Sequence, residues 1–267
     1  MEGAGVRLRR AFGFGATELF DPFLLLDDFR SDNPSDYLKG FPWHPHRGIE
    51  TITYMLAGTV EHGDSLGNSG VITPGDVQWM TAGNGILHQE MPKGDERGSM
   101  HGFQLWANLP AKSKMMPPRY REVKSADIPV ITPGEGVAVR IISGNVEGTQ
   151  GPVRDVVIEP EYLDVELAPG ASFSRPVRRG NTAIAYVIGG EGRFGGGPGL
   201  HSNATLVLFG DGDEVLAETG KKSMRFILVS GTPIREPVAW HGPIVMNTQE
   251  ELRTAYRELE EGTFIRA

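Results

Sequence analysis

Along this chain, apolar residues come in short runs, each closed by turn residues. "IETITYMLAG" (49–58), "GVITPGDVQWM" (70–80), "YLDVELAPG" (162–170), "TAIAYVIGG" (182–190), "TLVLFGDGDEVL" (205–216) and "MRFILVSG" (224–231) share this form. They are rich in Val, Ile, Thr and aromatics and are too short for helices, so each reads as a strand. The 36 glycines and 19 prolines are spread along the sequence rather than clustered. Close-spaced strands separated by turns predict an all-β sandwich or barrel.

One segment departs from this rhythm. "NTQEELRTAYRELEEG" (247–262) places Leu252, Ala255, Tyr256 and Leu259 at helical spacing. Thr248 and Glu251 form a capping box, and Gly262 ends the pattern. A short C-terminal helix is expected there, its apolar side on a barrel and its charged side in water.

The strand pattern repeats. Arg47, Gly48, Ile52, Tyr54 and Gly58 align without a gap on Arg179, Gly180, Ile184, Tyr186 and Gly190. "GDVQWMTAG" (75–83) then aligns on "GDEVLAETG" (212–220) in the same order. Two copies of one β-domain are expected: residues 1–130, a Pro- and Gly-rich linker over 131–154, and residues 155–267 including the helix.

Charge and composition narrow the chemistry. With 26 basic and 34 acidic residues the formal net charge is −8, which argues against a nucleic-acid-binding surface spread over the molecule. There is no cysteine, so disulfides, thiolate metal sites and thiol nucleophiles are excluded. No stretch has a signal peptide's apolar core or the ~18 apolar residues of a membrane helix. A cytoplasmic protein, acting as a monomer away from membranes, is the expectation. GxSxG and P-loop motifs are absent.

Two of the seven histidines stand in "HPHRGIE" (44–50). An extended chain rises about 3.3 Å per residue and alternates faces, so His44 and His46 project together, about 6.6 Å apart at the backbone. Imidazoles on that base can converge on one cation at distances of about 2.1 Å. Pro45 between them places the segment at a strand start, an edge or a bulge. "ILHQEMP" (86–92) repeats the spacing with His88 and Glu90. The two pairs would supply three nitrogens and one carboxylate oxygen.

Glu50 competes for the oxygen position. It lies about 13 Å from His46 if the chain stays extended, unless Gly48 bends it closer. Glu90 is therefore the favoured ligand. Glu50 is read as a carboxylate behind a ligating histidine, able to accept its hydrogen bond or carry a substrate proton. The alternative for Glu50 is a buried pairing with Arg47 or Arg97. In the second copy Pro176, Arg178 and Thr182 stand opposite His44, His46 and Glu50, and Arg225 and Ile227 opposite His88 and Glu90, so that copy is expected to be degenerate. His62, in the turn-like "EHGDSLGN", is expected to face solvent, and His101, His201 and His241 to be structural or peripheral. Phe41, Trp43, Trp79, Phe103 and Trp106 are candidates for an apolar pocket.

The stretch from "HPHRGIETITYMLAG" through "GILHQEMP" closely resembles the metal-site region of the pirin family, in the cupin superfamily. "DPFLLLDDF" (21–29), "HGFQLWANLP" (101–110) and "REPVAWHGPIVMNTQEEL" (235–252) also resemble pirin segments, so the likeness covers nearly the whole chain. It implies two cupin-type antiparallel β-barrels, a bicupin, with metal in the N-terminal barrel only. It further implies His44, His46, His88 and Glu90 as the ligands, whereas the general cupin motif would take Glu50. The ion implied is one divalent metal, Fe(II) first, with Zn, Ni, Mn, Co or Cu as alternatives. Some pirins resemble flavonol dioxygenases that open quercetin with release of carbon monoxide. Eukaryotic members are linked to transcriptional co-regulation. The resemblance thus implies an Fe(II)-dependent dioxygenase taking an enolic small molecule and dioxygen, with Glu90 or Glu50 accepting the hydroxyl proton. The alternative is a metal- or redox-sensing regulator that meets a protein partner without turnover.

Overall fold

The computed structural model describes residues 2–265. They divide into two compact units, one formed by the chain up to Ser125 together with the segment from Ile234 onward, the other by Ala126–Pro233. By its contacts the segment from Ile234 onward packs with the first unit, although it follows residues 155–233 in the expected second copy. The reason is non-local packing that neither periodicity nor turn chemistry encodes.

The first unit contains β1 (Arg9–Phe12), α1 (Thr17–Phe20), β2 (Phe23–Asp28), β3 (Phe41–His46), β4 (Ile49–Ala57) and β5 (Thr59–Asp64). It continues with β6 (Ser69–Ile72), β7 (Val77–Thr81), β8 (Ile86–Lys93), β9 (His101–Asn108) and β10 (Arg119–Val123). A six-stranded sheet in the order β1-β2-β9-β4-β7-β10 faces a four-stranded sheet in the order β3-β8-β5-β6, and side chains bridge the two. All pairings in both sheets are antiparallel. β3 is an edge strand, which is why Pro45, with no N–H to give a ladder, is tolerated there.

The interior is apolar around a polar centre. One cluster contains Val6, Phe29, Tyr37, Met55, Val60, Ile72 and Met100, and another Leu24, Ile49, Met80, Ala82, Ile86 and Val245. Burying each large side chain of this kind contributes about 1.5–3 kcal/mol. Val245 comes from the C-terminal hairpin. In that segment β22 (Ala239–His241) pairs with β23 (Ile244–Met246) and α2 (Gln249–Glu260) follows. The helix begins at Thr248 with both halves of the capping box formed. Its buried Leu252 and Ala255 pack with Ala239, Ile244, Met246 and Phe264.

Arg47 ties this segment down. It is fully buried, forms an ion pair with Glu258 (2.6 Å), donates to the carbonyls of Asn84 (2.6 Å) and Phe264 (3.0 Å), and lies over the Phe264 ring. Gly48, next to it, has φ +79°, and a Cβ there would stand 1.9 Å from the Val245 carbonyl oxygen. Only glycine lets the hairpin approach this closely.

The second unit repeats the antiparallel theme. Its strands begin with β11 (Val130–Ile131), β12 (Val137–Ser143), β13 (Asn145–Val146), β14 (Thr149–Gln150), β15 (Glu161–Leu167) and β16 (Ser172–Pro176). There follow β17 (Thr182–Phe194), β18 (His201–Ser202), β19 (Leu206–Leu208), β20 (Glu214–Glu218) and β21 (Met224–Gly231). A nine-stranded sheet runs β11-β12-β15-β21-β17-β20-β16, with β18 and β19 on β17. Its core is aliphatic and aromatic, including Val139, Leu163, Val165, Phe173, Ala185, Val187, Phe226 and Leu228. The molecule is all-β with one short C-terminal helix, as expected.

Candidate metal centre

The β3–β8 register sets His44 directly opposite His88, and His46 follows two residues along β3. The ligand nitrogens of His44, His46 and His88 all lie within 4.8 Å of one another. This is the one group of three or more His, Asp or Glu side chains close enough to share an ion among the described residues, and it lies wholly in the first unit.

Protonation follows from the partners. His44 Nδ1 lies 2.9 Å from the Pro42 carbonyl and His46 Nδ1 lies 3.1 Å from the Pro243 carbonyl. A carbonyl can only accept, so both Nδ1 atoms carry a proton and both Nε2 atoms are turned toward each other. Those two Nε2 atoms are 3.1 Å apart. Facing lone pairs repel unless a cation or a proton lies between them. On His46 that proton is disfavoured, because burial, reinforced by the neighbouring imidazole, holds its pKa well below the usual 6.5. Burial, then the nearby imidazoles, does the same to His88. Both ring nitrogens of His88 are buried without a hydrogen-bond partner. Buried polar atoms are seldom left so, and neutral imidazoles aimed at one point suit a divalent metal.

Glu90 faces the same interior but lies outside the set of mutually close donors. Its carboxylate accepts from Thr53 Oγ1 (3.1 Å) and Gln104 Nε2 (3.3 Å), reaching across from β4 and β9. Burial raises its pKa, partly offset by His44 and these two donors.

Glu50 is not behind a histidine. Thr53 points from β4 toward Glu90, and alternation turns Glu50 to the opposite face of that strand, where it accepts from Thr81 Oγ1 (2.7 Å). Nor does it pair with Arg47, which goes to Glu258. The expected role for Glu50 at the site fails because β3 and β4 belong to different sheets, so side-chain parity does not carry across Gly48.

His62 also departs from expectation. It is buried on β5 directly opposite Glu90, with Nε2 2.6 Å from the Tyr120 hydroxyl. His101 lies 3.8 Å from Asp28, His201 packs on Phe194 and His241 on Tyr256, none of them at the centre.

His44 and His46 form part of the wall of a cavity of about 570 Å³. Phe41, Trp106 and Trp240 supply aromatic faces to this cavity, and Gln104 lies beside them. Arg10 at its wall is already paired with Asp27 (2.8 Å) and Glu2 (3.0 Å). Of the aromatics singled out from sequence, Phe41 and Trp106 line the cavity, Trp43 is exposed, and Trp79 and Phe103 are buried elsewhere. Sequence reasoning passed over Gln104, Trp240 and the Pro243 carbonyl. For Gln104 a signal existed, since it alternates with Trp106 in "HGFQLWANLP".

Residues 5–107 match the pirin family model, and residues 162–265 match the model of the pirin C-terminal cupin domain. A "Pirin-like protein" of Caulobacter vibrioides is 47% identical over 267 residues, covering 98% of this chain and 94% of that protein. The chain belongs to the pirin family. Human "Pirin" is 44% identical over 95% of this chain and 86% of its own length. Among solved structures, one described as quercetin 2,3-dioxygenase from Acinetobacter baumannii superposes with a TM-score of 0.90 at 32% identity. That match covers 99% of this chain and 93% of the other. The fold is thus that of a pirin-type bicupin, and the C-terminal cupin match runs on through residues 234–265, which pack with the first unit.

Proposed function

We propose that this pirin-family protein is an Fe(II)-dependent dioxygenase acting on quercetin or a similar flat, enolic small molecule. The observation that carries the proposal is the trio of convergent imidazoles, two of them at the wall of an aromatic cavity. His44, His46 and His88 would hold the metal, with Glu90 as the fourth protein ligand. A bound Fe(II) supplies Lewis acidity and a redox partner for dioxygen, which imidazole and carboxylate donors suit.

The remaining work falls to side chains of this chain. Phe41, Trp106 and Trp240 orient a planar ring and exclude water from it. Glu90, its pKa raised by burial, accepts the enol hydroxyl proton. The cavity wall carries Glu2 and Asp27 against Arg10, a balance that favours a neutral substrate over an anion. Cytoplasmic action as a monomer belongs to the same proposal. No described helix is long and apolar enough to cross a membrane.

The test is oxygen uptake by Fe(II)-loaded protein with quercetin, repeated with His88→Ala. Turnover by wild type and its loss in the variant is the expected result. Equal turnover by both would remove these ligands from the mechanism. The second reading, a metal-sensing regulator, draws on the His46 Nδ1 contact with Pro243, which links the centre to the hairpin carrying α2. Metal binding without uptake of oxygen across several enols would favour that reading.

A further inference from the structure

We infer that Trp106 and Gln104 are positioning residues that hold Glu90 in the orientation a metal ligand needs. The inference rests on the metal-centre reading above and extends it to two side chains not otherwise assigned a role there. The argument begins with the indole. Trp106 Nε1–H can only donate, and it lies 3.2 Å from Gln104 Oε1. That contact fixes which end of the Gln104 amide is oxygen, and so turns its NH₂ away from the indole. The NH₂ then lies 3.3 Å from Glu90 Oε2 and 3.4 Å from Glu90 Oε1. It also lies 3.4 Å from Thr53 Oγ1, which itself donates to Glu90 Oε1 (3.1 Å).

Glu90 therefore meets donors on the side facing the six-stranded sheet. Without the indole, the amide is free to turn its oxygen toward the carboxylate, and a donor becomes a repelling acceptor. The backbone supports the arrangement. Gln104 and Trp106 stand two residues apart on β9, paired with Thr53 and Thr51 of β4 on one side and with Asp27 and Leu25 of β2 on the other. Trp106 also touches the histidine trio directly, its ring standing edge-on to His46 with centroids 5.0 Å apart. One side chain thus contacts a histidine of the trio and the amide that orients the carboxylate. Groups behind metal ligands commonly matter at the level of 10- to 100-fold in affinity.

The test uses the full chain and Co(II), whose visible absorption reports the number and type of ligands. Titrations are run on wild type, Trp106→Phe, Gln104→Leu, Glu90→Ala, His88→Ala and the double variant Trp106→Phe/Glu90→Ala. Trp106→Phe keeps an aromatic ring against His46 and removes the donor together with part of the ring volume. Both it and Gln104→Leu are expected to weaken Co(II) binding about tenfold or more and to shift the spectrum toward that of Glu90→Ala. In the Glu90→Ala background, Trp106→Phe is expected to add nothing, because its effect passes through that carboxylate. Wild-type affinity and spectrum in both Trp106→Phe and Gln104→Leu would overturn the inference, and so would full additivity in the double variant. Unchanged binding by His88→Ala would instead overturn the metal centre itself. Unchanged binding by Glu90→Ala alone would remove Glu90 as a ligand and the positioning role with it.

Discussion

Substituting Gly48 by alanine tests whether the C-terminal hairpin is part of the metal centre's support. The added Cβ would lie 1.9 Å from the Val245 carbonyl oxygen. Carbon and oxygen ordinarily approach no closer than roughly 3.3 Å, so the hairpin must retreat by about 1.4 Å. That retreat breaks or stretches the Val245 N–H bond to the Arg47 carbonyl (3.1 Å) and the Lys114 Nζ bond to the Val245 carbonyl (3.0 Å). Each such bond is worth about 0.5–1.5 kcal/mol. A left-handed conformation at a non-glycine residue adds about 1–3 kcal/mol.

The sum is about 2–6 kcal/mol, equivalent to a fall of roughly 4–24 °C in the Tm of a unit this size. The same movement carries Pro243 away from His46, so metal affinity should drop about tenfold. Gly67→Ala is the control. Gly67 has φ +88° but nothing within 4 Å of its added Cβ, so it carries the conformational cost alone. Scanning calorimetry and metal titration of both variants give the answer. If Gly48→Ala matches Gly67→Ala in Tm and binds metal like wild type, the reasoning that couples the hairpin to His46 is refuted.

Three further outcomes are expected. Glu50→Gln should leave metal affinity within about twofold, because Glu50 points to the opposite face of β4 from Thr53, whereas Glu90→Gln should weaken it about tenfold or more, as measured by titration calorimetry. Metal-free protein should lose stability on acidification below pH 6.5 in urea titrations: His46 and His88 stay neutral in the fold while the unfolded chain takes up protons, so stability rises with pH through that window, and a flat profile would contradict the burial argument. Tyr120→Phe leaves His62 Nε2 buried without its donor or acceptor and should cost about 1–3 kcal/mol in chemical denaturation, with metal affinity unchanged.

The histidine cluster was legible from spacing: His44 and His46 stand two residues apart on one strand, with His88 opposite on the next, whereas Glu90, two residues from His88, faces the same interior without joining the close donors. The capping box at Thr248 and Glu251 is equally local, and it forms as expected. The misreadings share a different character. Glu50 has the parity of His46 only if one strand runs through Gly48, and the chain instead changes sheets there. His62 sits beside turn residues that disguise a strand end, and its burial depends on Tyr120, 58 residues away. The packing of residues after Ile234 with the first unit depends on Arg47, Gly48 and Lys114 meeting carbonyls and a carboxylate far along the chain. No local pattern signals such contacts.

The most direct measurement is elemental analysis of protein purified without added metal salts, alongside a triple variant with His44, His46 and His88 changed to alanine. One iron per wild-type chain and none in the variant is the expected result. Metal retained by the variant, or bound by residues 126–233 instead, would contradict it.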